Sequence, residues 1–295
     1  MRRLLVIHNP TAGRRRAAFA FAVIAALRSE GCSVDVRETS ARGDAERFAR
    51  SAAPDIHAVV AAGGDGTVNE VINGLYARAH DMRPPALGII PLGTVNVLAR
   101  ELGLPTDAPS IARLLAHGRT LPLYAGIVNG RRFSLMIGVG FDARVVERVD
   151  PRLKRTIGRA AYALGILQEL IFYENVRYRV AIDDRAPIDA CSVIIAKSRL
   201  YAGSFELAPS ASVREPALQV CLFEHGGRWS VLRYLLGLVT GRIAQTSGFR
   251  IVEASRVTIA APAGDPVQGD GDMLTTLPLT VAAADGALAV IAISP

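Results

Sequence analysis

Cysteine, lysine, tryptophan and long apolar runs are all scarce in this sequence, and each scarcity excludes something. Three cysteines, Cys32, Cys191 and Cys221, stand far apart, so they build neither a zinc knuckle nor a dense disulfide framework. A reducing cytoplasm is the natural setting. No stretch approaches the roughly 20 uninterrupted apolar residues of a spanning helix. The best candidate, Trp229 to Ile243, is broken by Arg233 and Arg242. The N-terminus is basic and then briefly apolar, too short for a signal-peptide core, and it reads as a first strand. Lys154 and Lys197 are the only lysines, so the net charge of +7 is carried by arginine. That balance attracts nucleic acid, nucleotides and anionic membrane surfaces alike.

What is present is a large apolar fraction, half of 295 residues, enough for one large core or two ordinary ones. The first third alternates Leu4 to His8, Arg14 to Glu30, Cys32 to Glu38, Asp44 to Ala53 and Ala58 to Ala62. This β-α-β-α-β spacing predicts a parallel sheet covered by helices. A fourth strand is expected at Leu87 to Ile90, followed by a helix from Val95 to Leu102 that Pro105 stops. From about Leu121 the pattern becomes short β-like runs: Arg132 to Val139, Val176 to Ile182, Ser192 to Ala196, Leu218 to Phe223, Ile251 to Ile259 and Leu277 to Ala282. Two helical inserts are expected, Lys154 to Tyr173 and Ser230 to Gly241, and a loop from Ala261 to Gly271. The reading is an α/β domain over residues 1–121 and a mainly antiparallel β domain over 122–295, whose extreme C-terminus is free to return to the first.

The sharpest local feature is Ala61-Ala62-Gly63-Gly64-Asp65-Gly66-Thr67-Val68-Asn69-Glu70, an apolar strand ending in glycines that lead into a helix. Glycines let the backbone approach a ligand and turn successive N–H groups toward phosphate oxygens, and the helix start adds its positive end. Asp65 would repel a phosphate unless a cation such as Mg²⁺ lies between them. A nucleotide–metal complex is the expectation. Asn9-Pro10-Thr11-Ala12-Gly13 follows the first strand and Gly93-Thr94-Val95-Asn96 the fourth, so three small, hydroxyl-bearing loops fall at strand ends, where open α/β sheets bind ligands. Neither the Walker pattern nor the dinucleotide-binding pattern fits.

These motifs resemble the diacylglycerol kinase catalytic domain family, which includes bacterial lipid kinases and sphingosine kinases. The resemblance is carried by Asn9-Pro10-x-x-Gly13, Thr39 with Gly43-Asp44-Ala45, Gly63 to Glu70 and Pro91-Leu92-Gly93-Thr94-x-Asn96. It continues through Gly138-Val139-Gly140-Phe141-Asp142-Ala143, Tyr201-Ala202-Gly203-Ser204-Phe205 and Asp270-Gly271-Asp272. It implies a Rossmann-like N-terminal domain, a C-terminal β-sandwich and ATP in a cleft between them. Asn9, Pro10, Thr11, Ala12, Gly13, Thr39, Gly63, Gly64, Asp65, Gly66, Thr67, Val68, Asn69, Gly93, Thr94 and Asn96 would contact the nucleotide. NAD kinases share the glycine-aspartate loop but lack the Gly-Thr-x-Asn pattern that this chain has.

Phosphoryl transfer needs aligned oxygens, neutralised charge and an acceptor for the hydroxyl proton. The resemblance puts a Glu base where this chain has Asp272, one methylene shorter. Two further family acids are replaced by Val97 and Tyr124, so metal binding either falls to Asp65, working through the nucleotide or water, with Asp272 as a further candidate, or is weaker. The segment matching a structural Mg²⁺ turn reads Val213-Arg214-Glu215-Pro216-Ala217; Arg214 would repel a cation, leaving Glu215 as the candidate ligand side chain, so that site is expected to be absent or altered. A membrane lipid is the expected substrate and no nucleic acid is expected. Peripheral contact with the inner membrane face falls to Ile157 to Phe172, with Arg152, Lys154, Arg155 and Arg159 before it, or to the leucine-rich helix around Leu232 to Leu238. Two other readings stay open: a binding protein with little turnover, and a kinase for a soluble substrate such as NAD. The particular lipid and the oligomeric state are not legible.

Overall fold

The computed structural model describes residues 1–12, 17–78, 84–149, 159–172, 174–260 and 262–293, with the backbone alone for 159–162. The chain divides into two compact units, Met1–Tyr124 with Gly286–Pro295, and Ala125–Asp285.

In the first unit β1 (Arg3–His8), β2 (Ser33–Glu38), β3 (Ala58–Gly63), β4 (Ala86–Pro91) and β20 (Leu288–Ile291) run parallel, and β5 (Thr120–Leu123) lies antiparallel to β20. The order is β2-β1-β3-β4-β20-β5. Strand succession therefore reverses direction between β1 and β3. The helices are α1 (Ala17–Ser29), α2 (Asp44–Arg50), α3 (Asp65–Tyr76), α4 (Val97–Glu101) and α5 (Ala108–His117). α1 and α5 share a core with Leu4, Val6, Val60 and Ile90. α2 and α3 pack on each other and on β1 and β3. With helices covering both faces, all six residues of β3 are buried, as a central parallel strand requires.

The second unit holds β6 (Gly126–Val128), β7 (Arg131–Phe133), β8 (Met136–Val139), α6 (Phe141–Arg148), α7 (Arg159–Ile171), β9 (Tyr178–Ile182), β10 (Ile188–Ala190) and β11 (Ser192–Ala196). A short hairpin, β12 (Leu200–Tyr201) with β13 (Phe205–Glu206), precedes β14 (Leu218–Phe223) and α8 (Arg228–Val239). The remaining strands are β15 (Phe249–Ala254), β16 (Arg256–Ile259), β17 (Pro266–Gly269), β18 (Asp272–Thr276) and β19 (Leu279–Ala283). They form two antiparallel six-stranded sheets, β10-β9-β16-β19-β6-β7 and β15-β14-β11-β8-β17-β18. One apolar cluster joins the sheets, with Val180, Val257 and Val281 from the first and Ile137, Ile195 and Val220 from the second. This is a β-sandwich.

Several expected boundaries move, each for a local reason. The run Arg132 to Val139 is two strands, because the Asp270 carboxylate takes the N–H groups of Ser134, Leu135 and Met136 at 2.9 Å each. Ile251 to Ile259 also splits, and its halves join different sheets, with Asp183 accepting the N–H groups of Ser255 and Arg256 at the break. The helix expected from Val95 begins at Val97, since Asn96 is left-handed, φ 51°. Pro266–Gly269, inside the expected loop from Ala261 to Gly271, forms β17 on the edge of β8. Helix α5 was not foreseen; Asp107 caps it through the N–H of Ser110 at 2.9 Å, the N-cap chemistry of aspartate.

Candidate active site

The loops after β1, β3 and β4 bind to one another. Asn9 donates its backbone N–H to the carbonyl of Ala62 at 2.9 Å and its side-chain amide to Thr67 Oγ1 at 3.0 Å. Its Oδ1 accepts from the backbone and hydroxyl of Thr11. The first loop is thus tied to the third strand at the point where strand order reverses, the usual ligand crevice of an open α/β sheet. On the other side Gly64 and Gly93 meet backbone to backbone: a Cβ on Gly93 would lie 2.7 Å from the Gly64 Cα. A Cβ on Gly63 would lie 2.5 Å from the Thr67 Cβ. Nothing stands within 4 Å of a Cβ on Gly66, which faces open space.

Packing therefore requires glycine at Gly63 and Gly93, while Gly66 has free space beside its backbone. Asp65 opens α3, and its carboxylate accepts the N–H of Leu98 at 3.3 Å. Asn96 pairs with Gly93 in both directions, accepting its N–H at 2.9 Å and donating to its carbonyl at 2.8 Å. Thr94 is exposed. Asn69 takes the Asn73 amide on its Oδ1, and Val68 is buried. Thr39 donates its N–H to the His8 carbonyl at the end of β1. Pro10, Thr11 and Ala12 form the turn after β1, and Gly13 lies outside the described residues. Glu70 accepts the N–H groups of Gly43 and Ala45. That explains why two separated motifs accompany each other: the acid ending one caps the helix begun by the other.

In the second unit the Gly269-Asp270-Gly271-Asp272 turn joins β17 to β18. Asp270, at φ 51°, is the buttress described above, and Asp272 is exposed at the start of β18. Gln268 accepts the Gly271 N–H at 3.0 Å and donates to Asp142 Oδ2 at 2.6 Å. The Tyr201 hydroxyl donates to Asp142 Oδ1. Burial pushes the Asp142 carboxyl up, against the opposing pull of those two bonds. Asp142 is thus a buried junction beneath the turn.

The same junction lines a partly open pocket. Asp142, Ser192 and Tyr201 form its polar corner, and Phe141, Ile166, Ile194, Leu207, Phe223 and Leu235 are among its apolar walls. Sequence reasoning missed this pocket because its walls come from helices and strands distant along the chain.

Glu215 lies in a turn already fastened by a cation. The Lys197 ammonium, fully buried, donates to the carbonyl of Glu215 and, at 3.0 Å, to that of Ala217. Burial pushes its pKa down to about 8, against the opposing charge of Glu215. The residues here do not fit a divalent ion, because an ammonium already holds the carbonyls. Among the described residues no group of three or more His, Cys, Asp or Glu could hold a metal.

A glycine cradle at the carboxyl edge of a parallel sheet, followed in the same chain by an antiparallel sandwich with an acidic turn, is the build of a two-domain phosphotransferase. Residues 3–128 match the diacylglycerol kinase catalytic domain, and residues 135–292 match the YegS C-terminal NAD kinase beta sandwich-like domain. The chain therefore belongs to the diacylglycerol kinase family of lipid kinases. It is 29% identical to the diacylglycerol kinase of Bacillus subtilis over 94% of this chain and 92% of that protein. It is 34% identical to the "Probable lipid kinase YegS-like" protein of Klebsiella pneumoniae over 67% and 66% of the two chains. A crystal structure from Bacillus anthracis str. Sterne superposes with a TM-score of 0.82 at 22% identity, covering 99% of this chain and 95% of that one, a likeness of fold.

Proposed function

We propose that the chain transfers the γ-phosphoryl group of ATP to a hydroxyl of a diacylglycerol-like or sphingoid lipid, as a MgATP-dependent kinase at the inner face of the membrane. The observation that carries this reading is the continuity of the apolar pocket with the acidic turn. Asp142 lines the pocket and binds Gln268, which binds the N–H of Gly271, the residue before Asp272. A lipid tail suits the apolar walls, and its hydroxyl suits the polar corner. Asp272 takes the hydroxyl proton, the oxygen forms the new bond to phosphorus, and ADP leaves.

The first unit suits the nucleotide. Gly66 leaves its backbone open to a ligand, and Asn9, Thr39, Thr67 and Thr94 carry polar groups along the strand ends. Asp65 is the acid that suits a magnesium ion carried on the phosphates, where the ion would neutralise developing charge. Val97 is buried and adds no ligand. The protein would supply one carboxylate to such an ion, leaving phosphate and water to supply the rest.

The test is ADP release with purified protein, ATP and Mg²⁺ against a panel of hydroxylated lipids in mixed micelles, with NAD as the soluble acceptor. Phosphorylated lipid in the micelle arm supports the reading. Phosphorylation of NAD without an interface would replace it with a soluble-substrate kinase, and ATP binding with no turnover on any acceptor would make the protein a binding module.

A further inference from the structure

We infer that α7 and α8 form one docking surface for an anionic bilayer, set over the mouth of the apolar pocket; this rests on the lipid-kinase reading above. A helix on a water-soluble domain normally carries one apolar stripe, turned inward. These two carry apolar residues on both sides. Inward, Ile166 of α7 and Val231, Tyr234, Leu235 and Leu238 of α8 line the pocket. Outward, Trp229, Leu232, Leu236 and Val239 are exposed along α8, and Leu164, Leu167, Ile171 and Phe172 along α7 and its end. Eight of the thirteen exposed large apolar side chains among the described residues lie on these two segments, so the exposure is a patch and not scatter. The segments are joined, since Arg228 donates to the carbonyl of Ile171 at 2.7 Å.

Charge selects the occupant. From His225 to Ile251 the sequence holds Arg228, Arg233 and Arg242, with Arg250 paired to Glu224 just outside, and no acid. The single acid of α7, Glu169, is buried against Arg148 at 2.6 Å. A second copy of the chain would bring like-charged arginine rims together, whereas an anionic lipid surface neutralises them. A bilayer also explains the inner faces: the helices that would enter the membrane are those that wall the pocket, giving a lipid a short apolar path out of the leaflet.

Trp229 is the only tryptophan of the chain and is 85% exposed, so its fluorescence reports on this face alone. With phosphatidylglycerol-rich vesicles its emission should shift to the blue and be quenched by bromine-labelled acyl chains, and much less so with neutral vesicles. Leu167→Asp combined with Leu236→Asp alters two exposed positions outside the pocket lining. The pair should weaken vesicle partition by at least about tenfold and lower turnover on vesicle-embedded lipid in step. Turnover on a short-chain lipid dispersed as monomers should stay within about twofold, with the thermal melt unchanged. Unshifted Trp229 emission, or undiminished partition of the double variant, overturns the inference. So does a concentration-dependent dimer that buries Trp229 without lipid. Intact vesicle binding with no lipid turnover in either format would instead remove the kinase reading and leave the docking surface standing.

Discussion

In the first unit the loops after three strands close on one another: Asn9 reaches Thr67, Asn96 grips Gly93, and Gly93 leans on Gly64. In the second unit, α7 and α8 hold apolar side chains toward solvent as well as toward their own core. The first arrangement is satisfied by the chain alone, and its demands are local and strict. The second leaves apolar side chains in water, which the docking proposed above would cover. A rigid cradle suits a ligand of fixed shape such as a triphosphate, and a loose apolar wall suits a lipid tail, which varies in length and has no directional bonds to offer.

The strictness of the first region is tested most severely by Gly63→Ala. The added methyl must displace the Thr67 side chain, and overpacking of this kind costs about 1–3 kcal/mol. Displacement of a phosphate-binding loop by about 1 Å lowers turnover on the order of a hundredfold. Melting temperature and ATP affinity should both fall, and wild-type ATP binding in this variant would break the contrast.

On turnover alone, without a loss of stability, the pair of acids weighs at least as much. Asp65→Asn keeps an oxygen for the Leu98 N–H and removes the charge, so the melt should be preserved while Mg²⁺-dependent turnover is lost. Asp272→Asn should lower kcat by roughly 10²- to 10⁴-fold with ATP affinity unchanged, because the turn itself is held by Asp270 and Gln268. Asp272→Glu should retain turnover. Equal loss of ATP affinity in Asp272→Asn would reassign that residue to the metal.

A smaller effect is expected at Lys197. Lys197→Met orphans the Glu215 and Ala217 carbonyls, at a cost of about 1–3 kcal/mol for each buried group left unsatisfied, while a chelator should leave the wild-type melt unmoved. The folded pKa is pushed down to about 8. Above that pH the unfolded chain holds a proton that the folded chain has released, so wild-type stability should rise relative to Lys197→Met from about pH 8 toward the ordinary lysine range. A flat difference across that window would show the ammonium to be charged throughout. The smallest effect is at Asn9→Ala, which removes the part-buried bond to Thr67 and two exposed ones from Thr11, at about 1 kcal/mol for the part-buried bond, read as a modest drop in melting temperature.

The legibility of the molecule follows the same division. Strands β1, β3, β11 and β14 stand almost where their apolar runs placed them, because a buried strand writes its length directly into consecutive residues. The glycine loop after β3 stands out in the sequence, and at Gly63 the reason is packing, because a side chain there would collide with Thr67. The break at Ser255 was invisible, since it depends on Asp183, far away in sequence. The pocket escaped for the same reason. The second helical insert was found, and so was the first from Arg159 on, its expected start at Lys154 and end at Tyr173 lying outside the described residues; their two-faced exposure required knowing which side the sandwich covers. Lys197 gave no signal, because nothing in Ala196-Lys197-Ser198 announces that its ammonium ends inside a turn twenty residues later.

The placement of β20 has a consequence for how the molecule is assembled. It fills the gap between β4 and β5, yet the whole sandwich is threaded between those strands and itself. On a ribosome, which releases the chain from its beginning, the sandwich can set before the opening sheet has its full complement of strands. The part made first would be the part finished last, and until then β4 and β5 would wait with bare backbone edges.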